Sequence, residues 1–85
     1  MKACPDLQRA LANTVEKLRK ERKLTKTALA DFADLQDCYI RGITKGKRNP
    51  TVTAVYAICG ALGIPVSTFF ALVDEERARL SGERQ

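Results

Sequence analysis

The stretch Leu24–Pro50, LTKTALADFADLQDCYIRGITKGKRNP, decides how the chain folds. Its apolar anchors Leu29, Ala33, Leu35, Ile40 and Ile43 step by 4, 2, 5 and 3 residues. Steps of 3 and 4 keep side chains on one helix face, whereas steps of 2 and 5 do not. The chain must therefore bend at Asp34 and Leu35, which makes two short helices joined by a tight turn. Thr25 caps the first, which runs through Ala33. The second runs from Gln36 or Asp37 to Lys45, and Gly46 suits the left-handed residue that ends it. Ala30, small and on the inner face of the first helix, lets the second approach closely. Such a pair lays its second helix in the DNA major groove with the first across the backbone, although helical domains that bind proteins share the pattern.

Outward from this stretch the pattern stays helical. Asp6, after Pro5, is placed to cap a first helix in which Leu7, Leu11, Val15 and Leu18 form one buried stripe, ending near Lys23. The run KRNP is loop, and Thr51 caps a fourth helix with Val52, Val55, Tyr56, Cys59 and Leu62 on one face, closed by Gly63. After Pro65 a fifth helix carries Val66, Phe69, Phe70 and Val73. The polar tail DEERARLSGERQ, residues 74–85, either extends that helix or frays. With no period-2 strand, repeat or dividing linker, residues 1–85 form a single all-α domain of five helices.

The chain has 85 residues, 45% apolar and 29% charged, a globular balance in a domain too small for more than one core. Cys4, Cys38 and Cys59 are odd in number and widely spaced, and there is no histidine, so neither a disulfide framework nor a zinc site is expected. No apolar run approaches the roughly 20 residues that span a bilayer, and the N-terminus lacks the core of a signal peptide, so no membrane role and a reducing, cytoplasmic setting are expected. The formal charge is +5, but residues 1–50 carry twelve basic and six acidic groups and residues 51–85 three and four. Between Lys17 and Lys26 there are six cations to one anion, and between Tyr39 and Pro50 four to none. Two such patches brought together attract polyanions, nucleic acid above all. No nucleophile stands beside a base and no glycine-rich phosphate loop is present, so an enzyme is not expected, nor any cofactor.

The runs LTKTALA, YIRGITKGKRNP and ALGIPVSTFF resemble the Cro and phage-repressor (XRE-like) helix-turn-helix family over about Val15 to Phe70. YIRGITKGKRNP is most similar to the controller proteins of restriction-modification systems. The resemblance implies a compact five-helix, lambda-repressor-like DNA-binding domain, with the helix-turn-helix at helices 2 and 3, in a small dimeric regulator. Three positions depart from the family pattern. Lys26 stands where Gln is usual and opposes the helix dipole, which a phosphate would compensate. Asp34 stands where a small residue is usual, and tolerates the left-handed conformation better than most. Thr44 stands where a Glu commonly pairs with an Arg at the position of Arg19. Arg19 must then find a backbone carbonyl, another carboxylate or the DNA backbone.

On the second helix of the pair, Gln36, Asp37, Cys38 and Arg41 are the candidate base contacts, with Ile40 and Ile43 inward. Arg41 suits guanine O6 and N7, Gln36 adenine, and Asp37 the amino group of cytosine. The resemblance places Asp37, Cys38 and Tyr39 in the groove. Asp37 is either a specificity residue or an early-turn dipole partner, and Tyr39 either a phosphate contact or a packed flank. Thr25, Lys26, Tyr39, Lys45, Lys47, Arg48 and Asn49 are the candidate phosphate contacts. Gly42 implies close approach of its backbone to DNA or another helix. One small domain contacts one half-site, so a homodimer reading a pseudo-palindrome in double-stranded DNA is expected. Its interface candidates are Phe69, Phe70, Leu72 and Val73, with Val52, Val55 and Tyr56, at least one phenylalanine closing the monomer core instead. The alternative is an antitoxin whose C-terminal tail binds a protein partner while the domain regulates its own promoter.

Overall fold

A computed structural model describes residues 5–83. The helices are α1 (Pro5–Glu21), α2 (Lys26–Ala33), α3 (Asp37–Thr44), α4 (Val52–Leu62) and α5 (Val66–Glu83). Cys4 and the last two residues of the polar tail lie outside the described residues. Thr25 and Thr51 cap α2 and α4 as expected, their hydroxyl oxygens accepting from the amides of Ala28 and Ala54 at 3.0 and 3.1 Å. Asp6 does not cap α1: the helix already includes Pro5, and Asp6 sits inside the first turn, where its charge complements the dipole.

The first four helices end in one way. Lys23, Asp34, Gly46 and Gly63 all adopt positive φ, from 55° to 72°. In each case the following amide reaches back five residues: Leu24 to Arg19, Leu35 to Ala30, Lys47 to Gly42 and Ile64 to Cys59, at 2.9–3.1 Å. These bonds satisfy carbonyls that the helix end leaves open. The helix ends near Lys23 as expected, but the left-handed conformation there carries no sequence signal, because lysine is an ordinary last-turn residue and gains nothing from φ of 55°. Lys23→Gly should therefore raise stability by about 0.5–1 kcal/mol, the relief of the left-handed penalty exceeding the added freedom of the unfolded chain. Urea unfolding of the two proteins measures this, and an unchanged or lower midpoint would count against it.

The core forms where α1 packs on α5 and α3, and α2 on α3 and α4. Leu29, Ile40, Ile43, Ile58, Phe69 and Val73 are almost wholly buried. On α4 the buried face is Ala54, Val55, Ile58, Cys59 and Leu62. Val52 and Tyr56, expected on it, are 74% and 62% exposed. The seam is turned because Ala54 and Ile58 face inward, and residues at 52 and 56 then point away. Among the described residues no single helix is long and apolar enough to cross a membrane.

The tail continues α5 as far as Glu83. Leu80 is buried in the core, and Glu76 accepts hydrogen bonds from Asn13 of α1 at 2.7 Å and from Arg79 at 2.6 and 2.8 Å. Arg79 first, then Asn13, hold the Glu76 carboxyl down at about 2. Glu16 is likewise lowered, mainly by its bond to Arg19. Both carboxylates are harder to protonate folded than unfolded, so acid favours the unfolded chain. Their contribution is present above the ordinary glutamate value near 4.5 and is lost as pH falls below it, in the case of Glu76 through about 2. Melting temperature should fall across that window, and Glu76→Gln should flatten the fall; a profile identical to that of the unmodified chain would remove Glu76 from the account.

Candidate nucleic-acid interface

The turn at Asp34 sets α3 across α2, with Ile40 and Ile43 locked into the core as expected. Fixing those two positions on one side of an eight-residue helix turns Asp37, Cys38 and Arg41 outward, and Gln36 is exposed as the residue preceding it. All four candidate base contacts are thus brought to one end of one exposed face. Asp37 is held there from two sides. Its Oδ1 accepts from the hydroxyl of Thr27 on α2 at 3.0 Å, and its Oδ2 from Nε of Arg41 at 2.5 Å. The bonds from Arg41 first, then Thr27, keep the Asp37 carboxyl below the usual aspartate range. The Cys38 thiol lies 3.7 Å from Oε1 of Gln36.

Tyr39 is both flank and potential contact. Its half-buried ring packs against the core, its hydroxyl oxygen accepts the amide of Thr51 at 3.0 Å, and its own O–H is left able to donate outward. Arg48 lies over the ring, with its guanidinium carbon 5.2 Å from the centroid. It also passes close to Gly42, where a Cβ would meet Arg48 Cβ at 3.4 Å and Nε at 3.5 Å, at van der Waals contact. Within the monomer the nearest neighbour of Gly42 is thus the Arg48 side chain and not another helix, which leaves approach to DNA as the other expectation. Lys45, Lys47 and Asn49 are exposed beside it, and no carboxylate among the described residues pairs with Lys45, Lys47 or Arg48. Thr25 and Lys26 stand at the start of α2.

Arg19 replaces the pairing that Thr44 denies it. Its Nη1 donates to the Leu24 carbonyl at 2.6 Å, while Nε and Nη2 bind Glu16 at 3.0 and 2.8 Å. This anchors the start of the helix-turn-helix to α1. Arg22 adds a bond from Nε to the Leu62 carbonyl at the end of α4.

The interface candidates divide. Phe69, Val55 and Val73 lie in the monomer's own core, at 2, 6 and 1% exposure, which leaves them no surface for a partner. Leu72 is half-buried against that core. Val52, Tyr56 and Phe70 remain exposed, the Phe70 ring meeting Phe69 edge-on at 5.5 Å. Two residues escaped the sequence reading. Phe32 is 68% exposed on α2, where the sequence offers no signal beyond its place off the buried stripe. Thr27 looks like a filler in the first turn of α2, and its bond to Asp37 crosses a bend that periodicity cannot orient.

Residues 15–69 match the family model described as helix-turn-helix. The chain belongs to the Cro/XRE-type helix-turn-helix family. This helix-turn-helix chain is 36% identical over 74 residues to the immunity repressor protein of Bacillus phage phi105, covering 84% of the chain and 51% of the repressor, so it spans about half that relative's length. It is 33% identical over 72 residues to the control protein C.MunI of Mycoplasma sp, covering 84% of the chain and 97% of that protein. In structure it is similar to the restriction-modification controller protein C.Esp1396I, seen as a tetramer in complex with its natural 35 base-pair operator. There the TM-score is 0.79 at 28% identity, over 85% of this chain and 95% of the other.

Proposed function

We propose that the chain is a sequence-specific DNA-binding transcriptional regulator that binds a pseudo-palindromic operator as a homodimer, in the manner of a restriction-modification controller protein. The observation that carries this is one helix face, Gln36, Asp37, Cys38 and Arg41, bordered by Lys45, Lys47 and Arg48, which no carboxylate among the described residues neutralises. The face is shaped and chemically suited to base edges, and Lys45, Lys47 and Arg48 to the phosphates beside them. Thr25, Lys26, Tyr39 and Asn49 add phosphate contacts. Val52, Tyr56 and Phe70, exposed and apolar, supply the two-fold contact that sets two reading helices about 34 Å apart. The antitoxin alternative is less favoured, because most of the tail it needs continues α5, with Leu80 buried in the core and Glu76 bonded to Asn13 of α1.

Selection of bound duplexes from a random pool tests the reading. A two-fold symmetric consensus is expected, with affinity falling steeply with salt, at a log–log slope beyond about −4 if several phosphates are neutralised per protomer. Equal binding to all duplexes at low ionic strength would end it.

A further inference from the structure

The pair on the exposed face of α3 has a geometry that does more than join two charges. Arg41 donates to Asp37 through Nε, the one nitrogen that is not at the end of the guanidinium, so the two terminal amino groups are left in a fixed end-on orientation. Guanine offers two acceptors, O6 and N7, to such a fork. Asp37 is itself fixed by Thr27, which reaches it from α2 on its other oxygen. We propose that Thr27, Asp37 and Arg41 form a relay that presents Arg41 to guanine, with Asp37 a positioning residue that reads no base itself. This rests on α3 being the DNA-contacting helix.

Three observations favour the relay over separate roles. Each carboxylate oxygen of Asp37 already holds a partner within the protein, so the group is oriented by Thr27 and Arg41 and not left aimed at a base. The Arg41 charge offsets an anion that would otherwise face DNA phosphates uncompensated. Asp37 and Arg41 are 42% and 49% exposed, and a pair this open contributes little to stability, so its effect belongs in recognition. A held Arg41 also loses less side-chain freedom on binding than a free one.

The test uses the selected duplex and its single-base-pair variants, with the unmodified chain, Arg41→Ala, Asp37→Ala, Thr27→Val and Thr27→Ser. Arg41→Ala should abolish the preference for one G·C pair in each half-site. Asp37→Ala should weaken that same preference by about ten-fold, with other positions and thermal unfolding unchanged. Thr27→Val should weaken it by a smaller factor, and Thr27→Ser, which keeps the hydroxyl, should retain it. In the free protein, the Nε–H resonance of Arg41 should be protected from solvent exchange and lose that protection in Asp37→Ala. The inference is overturned if Asp37→Ala changes a different base pair from Arg41→Ala, if it leaves specificity intact, or if the resonance is unprotected from the start. An unmodified chain that prefers no duplex instead overturns the DNA reading, and the relay's role with it.

Discussion

Phe69→Ala should cost about 3–5 kcal/mol of folding free energy, enough to leave much of a domain this size unfolded at 37 °C. The side chain is 2% exposed and belongs to the buried cluster that also holds Ile58, Leu62 and Val73. Its removal forfeits the ring's burial and opens a cavity that helices anchored at both ends cannot close. Leu80 and the Glu76 bonds to Asn13 and Arg79 hold α5 beyond it, so the helix cannot slide to fill the space. Urea unfolding followed by circular dichroism measures the loss. A change below about 1 kcal/mol would mean that Phe69 does not fill the core as described. Phe70→Ala, one position along and 41% exposed, should cost far less. The contrast separates a phenylalanine that closes the monomer from one available to a partner.

Tyr56→Asp should abolish the proposed dimer and, with it, about a hundred-fold or more of operator affinity, because the second half-site would no longer be held at high local concentration. Tyr56 and Val52 lie one turn apart on the face of α4 that points away from the core, and both are largely exposed. A carboxylate placed on a two-fold axis meets its own copy, so one substitution introduces two like charges into the apolar contact. The monomer should stay folded, since Tyr56 is largely exposed and lies off the buried face of α4. Sedimentation equilibrium reads the oligomeric state, and titration of full and half operators reads the affinity. A Tyr56→Asp chain that still sediments as a dimer would move the contact elsewhere.

Much of the fold is legible in the residues because it is local. The unequal steps from Leu29 to Ile43 dictate a bend, Thr25 and Thr51 bring their own caps, and Gly46 and Gly63 mark endings that suit a residue without Cβ. What is not legible depends on packing. The α4 face is misread because Val52 and Tyr56 are apolar and correctly spaced, while Ala54 and Ile58 face inward for reasons set by α2 and α5. The same limit applies to the candidate site. Gln36, Asp37, Cys38 and Arg41 are readable as an outward group once Ile40 and Ile43 are inward. The hold of Thr27 on Asp37, the passage of Arg48 over Gly42, and the turn of Arg19 to Glu16 and Leu24 each join side chains whose directions follow from the assembled helices.

Thr51 does two jobs at once: its hydroxyl begins α4, and its amide is held by the Tyr39 hydroxyl of α3. A strut of one residue therefore ties the helix that would meet a second subunit to the helix that would enter the groove. With little play in that joint, the proposed dimer would act as a ruler, its two reading heads set at a fixed phase along the duplex. Such a ruler would measure the gap between half-sites as strictly as it would read the bases within them.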